Sequence, residues 1–454
     1  MTDGCARKYS RVSFLLMLAV LVTGCMQFVL EPASQDKWAA MPVATDNAAI
    51  KHIETEMLVN IRANGFNSDP AVNGGMGGLL VNWRYGSHPL QANINGTGET
   101  DADSGSAVRH DPLTDLRYIH NLWSYKVEYP ADDRFESEIA RYTPIIQREF
   151  AHAQNERGWL YDTFMDIYAL SHDMFYRSAA FSLAQGYARA YHESIGSIFK
   201  LNSANPRGTY RVDLTLEAGC ALVEAGTQFG SPEWVREGMN TINFVYNHAY
   251  IRQYHTFPSQ MGEVVQPDGS ANPQQSFYYG QTAQNGRVIG SQVRMGNLSQ
   301  MVISLLEAYR VTRKQDFLNK ATDLLDPLAV SNNALGMWDS VRGGYFYGVR
   351  FTGHSPSQPG AMIVDRQRKE VGRQAIMLQA FHLANIMTNN KYKDMEKRML
   401  DVTLKHLYVA AIHGVPYILN ADWSFQRFRN GTVDDMVTTE AMGAVQESLF
   451  SLRG

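Results

Sequence analysis

Trp338-Asp339-Ser340-Val341-Arg342-Gly343-Gly344-Tyr345-Phe346-Tyr347 lies between two segments whose apolar residues recur at helical spacing. Glycine adopts backbone conformations closed to other residues, so Gly343-Gly344 predicts a sharp reversal that brings Trp338 and Asp339 back toward Tyr345 and Tyr347. Outward from this stretch, the chain alternates amphipathic helix and polar break. Four breaks can be laid over one another, each followed by an aromatic: Asp132-Asp133-Arg134-Phe135, Ser231-Pro232-Glu233-Trp234, Lys314-Gln315-Asp316-Phe317 and Asn389-Asn390-Lys391-Tyr392. The helices before them carry comparable stripes, such as Leu222, Ala225 and Phe229, or Leu305, Ala308 and Tyr309. The segments therefore read as helical hairpins with tight turns on one side of the molecule.

The other side carries long connections, at residues 65–112, 250–296, 331–368 and 413–437. The first holds Asn73-Gly74-Gly75-Met76-Gly77-Gly78 and Trp83; the second holds Glu263, Asp268, Tyr278, Tyr279 and Arg287. Long loops inside a compact domain are uncommon unless functional, so the cleft is expected on their side. With the helix at residues 46–63 paired to a closing helix at 438–452, six hairpins are expected. The fold class is all-α, a toroid of helical hairpins spanning residues 49–454 with its long loops on one face.

At the amino terminus, Arg7, Lys8 and Arg11 precede an apolar run from Val12 to Val22 and then Thr23-Gly24-Cys25. This is the layout of an export signal, and the run is shorter than the roughly 20 apolar residues of a membrane span. Residues 1–24 are read as signal peptide and 25–48 as a tether. Cys5 falls in the signal, leaving Cys220 as the single cysteine of the folded part, which cannot form an internal disulfide. The formal net charge of −4 comes without any Lys/Arg run outside the signal, which argues against nucleic acid as a partner. The histidines never fall as His-x-x-x-His and form no Cys/His cluster, so no metal site is expected, and no cofactor. A phosphate loop and a Gly-x-Ser-x-Gly elbow are both missing.

Leu21-Val22-Thr23-Gly24-Cys25 resembles the lipobox of bacterial lipoproteins, which implies lipidation of Cys25, a membrane contact through that lipid and a place in the cell envelope. The hairpins together with Trp338-Asp339-x-x-x-Gly343-Gly344-Tyr345-Phe346 resemble the six-hairpin glycosidases and the N-acylglucosamine 2-epimerase-like proteins. That resemblance implies an (α/α)6 toroid and a carbohydrate or polysaccharide partner.

Four carboxylates are the catalytic candidates. Asp339 either acts beside the aromatics at the cleft rim or caps its own turn. Asp162 and Asp166, one helical turn apart, share a face that either lines the cavity or is solvated. Glu263 lies in a long loop. Trp338, Tyr345, Tyr347, Trp83, Tyr279, Arg342 and His382 are the candidates for substrate contact, and His382 would carry proton transfer in an epimerase, unless it is a satisfied core residue. Hydrolysis of a glycosidic bond needs two carboxyls across one cleft. The leading expectation is a glycoside hydrolase of the cell envelope; a non-catalytic glycan-binding lipoprotein and a sugar epimerase are the alternatives.

Overall fold

The computed structural model describes residues 47–68, 70, 72–84, 110–153, 157–198, 209–262, 264–265, 271–272, 281–282, 288–289, 291–353, 355–427, 431 and 433–453. Among them are twelve α-helices: α1 (Asn47–Asn64), α2 (Pro112–Glu128), α3 (Glu136–Glu149), α4 (Trp159–Ser171), α5 (Met174–Arg189), α6 (Val212–Phe229), α7 (Pro232–Ala249), α8 (Met295–Thr312), α9 (Gln315–Leu325), α10 (Val371–Met387), α11 (Lys393–Val402) and α12 (Thr439–Ser451). The even-numbered helices pack one on the next, from α2 through α4, α6, α8 and α10 to α12, and α12 packs back on α2, so they close an inner ring. Each is backed by an odd-numbered outer helix: α3 on α2, α5 on α4, α7 on α6, α9 on α8, α11 on α10 and α1 on α12.

Burial explains which helix goes inside. A helix apolar on one stripe can lie on a core, whereas one apolar all round must be enclosed. In α6 every residue from Val212 to Gly226 is buried, while α9 buries only Phe317, Leu318, Ala321, Leu324 and Leu325. The α6–α7 hairpin closes tightly because Gly219 and Gly238 face each other; a Cβ on Gly238 would stand 2.5 Å from the Gly219 carbonyl oxygen.

The expected tight turns are all at the carboxy-terminal ends of inner helices. Ser231 caps α7 through its side chain, with Pro232 at the first helical position, where its missing N–H costs nothing. His172 and Asp173 make one further such turn: His172 ends α4 in the left-handed region at φ 58°, and the Asp173 side chain accepts from the Phe175 N–H to start α5.

The long loops rise from the amino-terminal ends of the inner helices and pair with their neighbours as short antiparallel strands. Thr209–Arg211 pairs with Gln260–Gly262, Ser291–Arg294 with Gly348–Phe351, Arg368–Glu370 with Ile418–Asn420, and Asn82–Arg84 with Met436–Thr438. The last pair joins the end of the chain to its beginning. Four of these strands run straight into an inner helix, α6, α8, α10 or α12, so the rim fixes what each helix presents in its first turn. Residues 1–46, including Cys25, and the loop residues Glu263 and Tyr279 lie outside the described residues.

Candidate active site

Two small adjoining cavities, of about 20 and 10 Å³, open at the amino-terminal ends of the inner helices. Asp111, Leu113, Thr114, Arg117, Arg157, Trp159 and Glu440 line the first; Arg117 and Glu440 are shared with the second, where Glu370, Arg373 and Tyr417 join them. The rim strands put these residues there. Asp111 caps α2 by accepting from the Leu113 N–H, Glu370 is the residue before α10, and Glu440 lies in the first turn of α12. Carboxylates are favoured at such positions because a helix amino terminus carries about half a positive charge.

Arginines answer the carboxylates. Arg373 donates to Glu440 at 2.8 Å from Nη2 and to Glu370 at 3.4 Å from Nε, and Tyr417 donates to the same Glu370 oxygen at 3.1 Å. Arg211 grips Asp213 with two hydrogen bonds, of 2.9 and 2.5 Å. Arg117 is 4% exposed and lies 4.5 Å over the Trp159 ring; its Nε is 3.4 Å from Glu447, and its Nη1 is buried without a hydrogen-bond partner. A guanidinium held this way at a cavity wall is poised for an anion.

The environment splits the carboxyls by protonation. Burial, aided by the charge of Asp213, pushes Glu217 up to about 8 despite Arg157, Arg211 and Arg373. Burial also works to raise Glu440, but Arg373, Arg157 and Arg117 outweigh it and hold that carboxyl below its usual value. At neutral pH Glu217 therefore carries a proton and Glu440 is ionised, beside the same arginines, Arg157 and Arg373. Carboxyls driven apart in this way are what acid and base roles require.

No family model matches the sequence, and no curated protein matches it either. Solved structures do match. An unsaturated glucuronyl hydrolase specific for heparin superposes with a TM-score of 0.60 at 15% identity, covering 90% of this chain and 97% of that one. A D-mannose isomerase gives 0.58 at 9% identity over 91% and 99% of the two chains. An alpha-1,6-mannanase of Salegentibacter gives 0.53 at 9% identity over 89% and 99%. The chain has the six-hairpin (α/α)6 fold.

Within the six-hairpin barrel the residues singled out from the sequence separate. Asp162 and Asp166 face the lumen, deeper than the cavities, in a nest of acidic groups. Asp162 shares a hydrogen bond with Glu224 of α6, and burial together with Glu307 of α8 raises it far above the usual range. Burial takes Asp166 up to about 7 against the pull of Arg310.

Asp339 caps its own turn. Its Oδ1 accepts from the N–H groups of Val341 and Arg342, and its Oδ2 accepts from buried Lys369 at 2.9 Å. Burial works against its charge, but these bonds hold it below the usual carboxylate range, the opposite of what a general acid needs. Gly343 and Gly344, at φ 74° and 76°, make the reversal that the sequence predicts. It carries Trp338 and Tyr345 into the core, where their rings meet edge to face at 5.2 Å, and Tyr345 donates to the Leu328 carbonyl.

Trp83 is likewise fully buried, donating to Asn60, and is no cleft wall. His382 faces outward across the α10–α11 contact, 2.9 Å from Glu396, so it is a core histidine and not a lumen base. Arg342 is exposed, its carbonyl accepting from Trp423. Tyr347 is buried at the start of α8: its carbonyl accepts from the Met295 N–H, and Arg368 lies 4.0 Å over its ring.

The residues that do line the site left a faint mark in the sequence. Arg373 and Glu440 of the cavity walls, and Asp213 and Glu217 of α6 beside them in charge, are ionisable side chains in the first two turns of helices rich in Val, Leu, Ala and Gly. Asp339→Asn should cost about 3 kcal/mol by leaving Lys369 buried without its counter-ion, while activity per folded molecule is retained. Thermal unfolding and turnover measured on one purified variant check both.

Proposed function

We propose that the chain is a carbohydrate-active enzyme of the cell envelope, a glycoside hydrolase working on an acidic, uronate-containing polysaccharide. What supports this is a pair of carboxyls in the field of the same two arginines, Arg157 and Arg373: Glu217, pushed up to about 8 by burial, and Glu440 on the cavity wall, which accepts from Arg373 and is held below its usual value. Glu217 gives its proton to the glycosidic oxygen as the bond to the anomeric carbon breaks. Glu440 serves as the anionic partner and takes the proton of the attacking water, so that one water is consumed and two hydroxyl ends are released. Arg117, with Arg157 and Arg373, holds a sugar carboxylate in the cavities. The unsaturated glucuronyl hydrolase specific for heparin shares the fold and acts on an acidic sugar by its name, in keeping with this reading. An epimerase would need a base such as histidine in the lumen; among the described residues no histidine lines either cavity.

Glu217→Gln should lower kcat on a uronate-containing oligosaccharide by about 100- to 10,000-fold, with the melting temperature maintained. In the unsubstituted protein, kcat/KM should fall as pH rises through about 8, because the acid works only while it holds its proton. A wild type that binds the glycan without cleaving it would make the chain a binding protein. Arg117→Gln should raise KM for the acidic glycan about 10- to 100-fold and leave a neutral glycan unaffected, since only a charged ligand group loses its partner. An equal loss on both glycans would count against the acidic substrate.

The envelope location rests on the lipobox, and we propose that Cys25 is the lipid attachment site. Cys25→Ala should abolish acyl labelling and release the protein from membranes. Unchanged mass and membrane binding would overturn it.

A further inference from the structure

Outside the central cleft, three ionisable side chains from distant parts of the chain meet beneath the Gly-rich loop. His110 comes from the residues before α2, Asp115 from its first turn, and Glu149 from the last position of α3. One donor atom from each lies within 4.8 Å of the others. His110 and Asp115 are tied down at their other polar atom, and Glu149 at the oxygen that also meets His110, where the Asn73 amide lies 3.3 Å from the His110 Nε2 as well. The His110 Nδ1 donates to the Leu79 carbonyl at 3.0 Å, since a carbonyl can only accept. The Asp115 Oδ1 accepts from the Leu79 N–H at 2.7 Å, and the Glu149 Oε1 accepts from the Asn73 amide at 2.6 Å.

What remains points inward. The His110 Nε2 stands 2.6 Å from the Glu149 Oε1 and 3.4 Å from the Asp115 Oδ2. The Asp115 Oδ2 and Glu149 Oε2 are fully buried and have no hydrogen-bond partner. Asp115 is 0% exposed, and the Glu149 side chain is 1% exposed. Two buried carboxylates with unsatisfied oxygens are costly unless a cation or shared protons neutralise them. Gly78 is what lets the group close, because a Cβ there would sit 2.2 Å from the His110 ring and 2.7 Å from the Asp115 Oδ2.

We propose that His110, Asp115 and Glu149 form a structural site for a divalent ion of the zinc class. Bonds of about 2.0–2.2 Å put tetrahedral ligands about 3.3 Å apart, close to the imidazole–Asp115 spacing. The ion takes the place of the protons shared within the group, and a small turn of the Glu149 carboxylate admits it. An imidazole nitrogen selects zinc over calcium or magnesium, which prefer oxygen alone. The hydrogen bonds from Leu79 and Asn73 are the outer supports by which proteins fix ligand orientation. An ion here would pin the loop at residues 72–84 to the start of α2, next to Asp111 of the cleft.

The test uses the full chain, stripped with a chelator and returned to Zn²⁺ alone. Elemental analysis after desalting should find one zinc per chain, and the melting temperature should rise with the metal. His110→Gln and Glu149→Gln should each cut retained zinc at least tenfold and abolish the thermal gain. Zinc K-edge absorption on the unsubstituted protein needs no variant to fold, and should report one imidazole with carboxylate oxygens around the ion. No retained zinc, variants that keep as much as wild type, a shell without imidazole, or a thermal gain from Ca²⁺ alone would each overturn the site and leave a proton-sharing cluster.

Discussion

Six parallel inner helices bring their amino-terminal ends to one face, and the positive potential of those ends dominates the molecule's chemistry. Carboxylates settle there, as Asp111, Asp213, Glu370 and Glu440 do. In a partly enclosed space these charges need partners of their own, and Arg117, Arg157, Arg211 and Arg373 supply them from the neighbouring helices and loops. The result is a ring of alternating charge whose members set one another's protonation. Rim strands make it rigid, because the strand before α6, α8, α10 or α12 is paired to another loop and cannot rotate its first helical turn freely.

The lumen below carries the same logic further. Asp162, Glu224, Glu307 and Arg310 meet between α4, α6 and α8, and Arg117 reaches Glu447; outside the lumen, Arg453 reaches Glu54 of the outer helix α1. Buried ion pairs are poor sources of stability, since desolvation offsets much of the attraction. Stability here comes instead from the apolar faces between inner and outer helices, where Leu, Ile, Phe and Met side chains are fully buried. The lumen is thus free to hold charge in fixed positions, and fixed dipoles and charges are the largest contribution an enzyme site makes to a developing ionic transition state.

How the fold closes also explains the separation of the aromatics. Trp338, Tyr345 and Trp83 are large apolar bodies with one polar atom each, and the loops need cores of their own. They are used there as pegs: the Tyr345 hydroxyl donates to the Leu328 carbonyl, the Trp83 indole donates to Asn60, and Asn333 accepts from the backbone N–H of Trp338. Lys369 and Asp339 do the equivalent with charge, locking the glycine turn against the strand that enters α10.

The hairpin order, the tight turns with their following aromatics, the long-loop face and the glycine reversal were legible in the sequence, because each depends on local spacing and on residue types with intrinsic backbone preferences. Asp162 and Asp166 were also correctly placed on one helix face, by the helical period alone. Which of two buried faces a helix turns to the lumen is not a local property. His382 and Glu217 both sit on helices apolar all round; one faces an outer helix and the other the arginine ring, and only the packing of twelve helices decides between them. The meeting of His110, Asp115 and Glu149 has the same origin: neither its spacing nor its residue types form a contiguous motif, and the group exists because α3 returns along α2 beneath a glycine that leaves room for it.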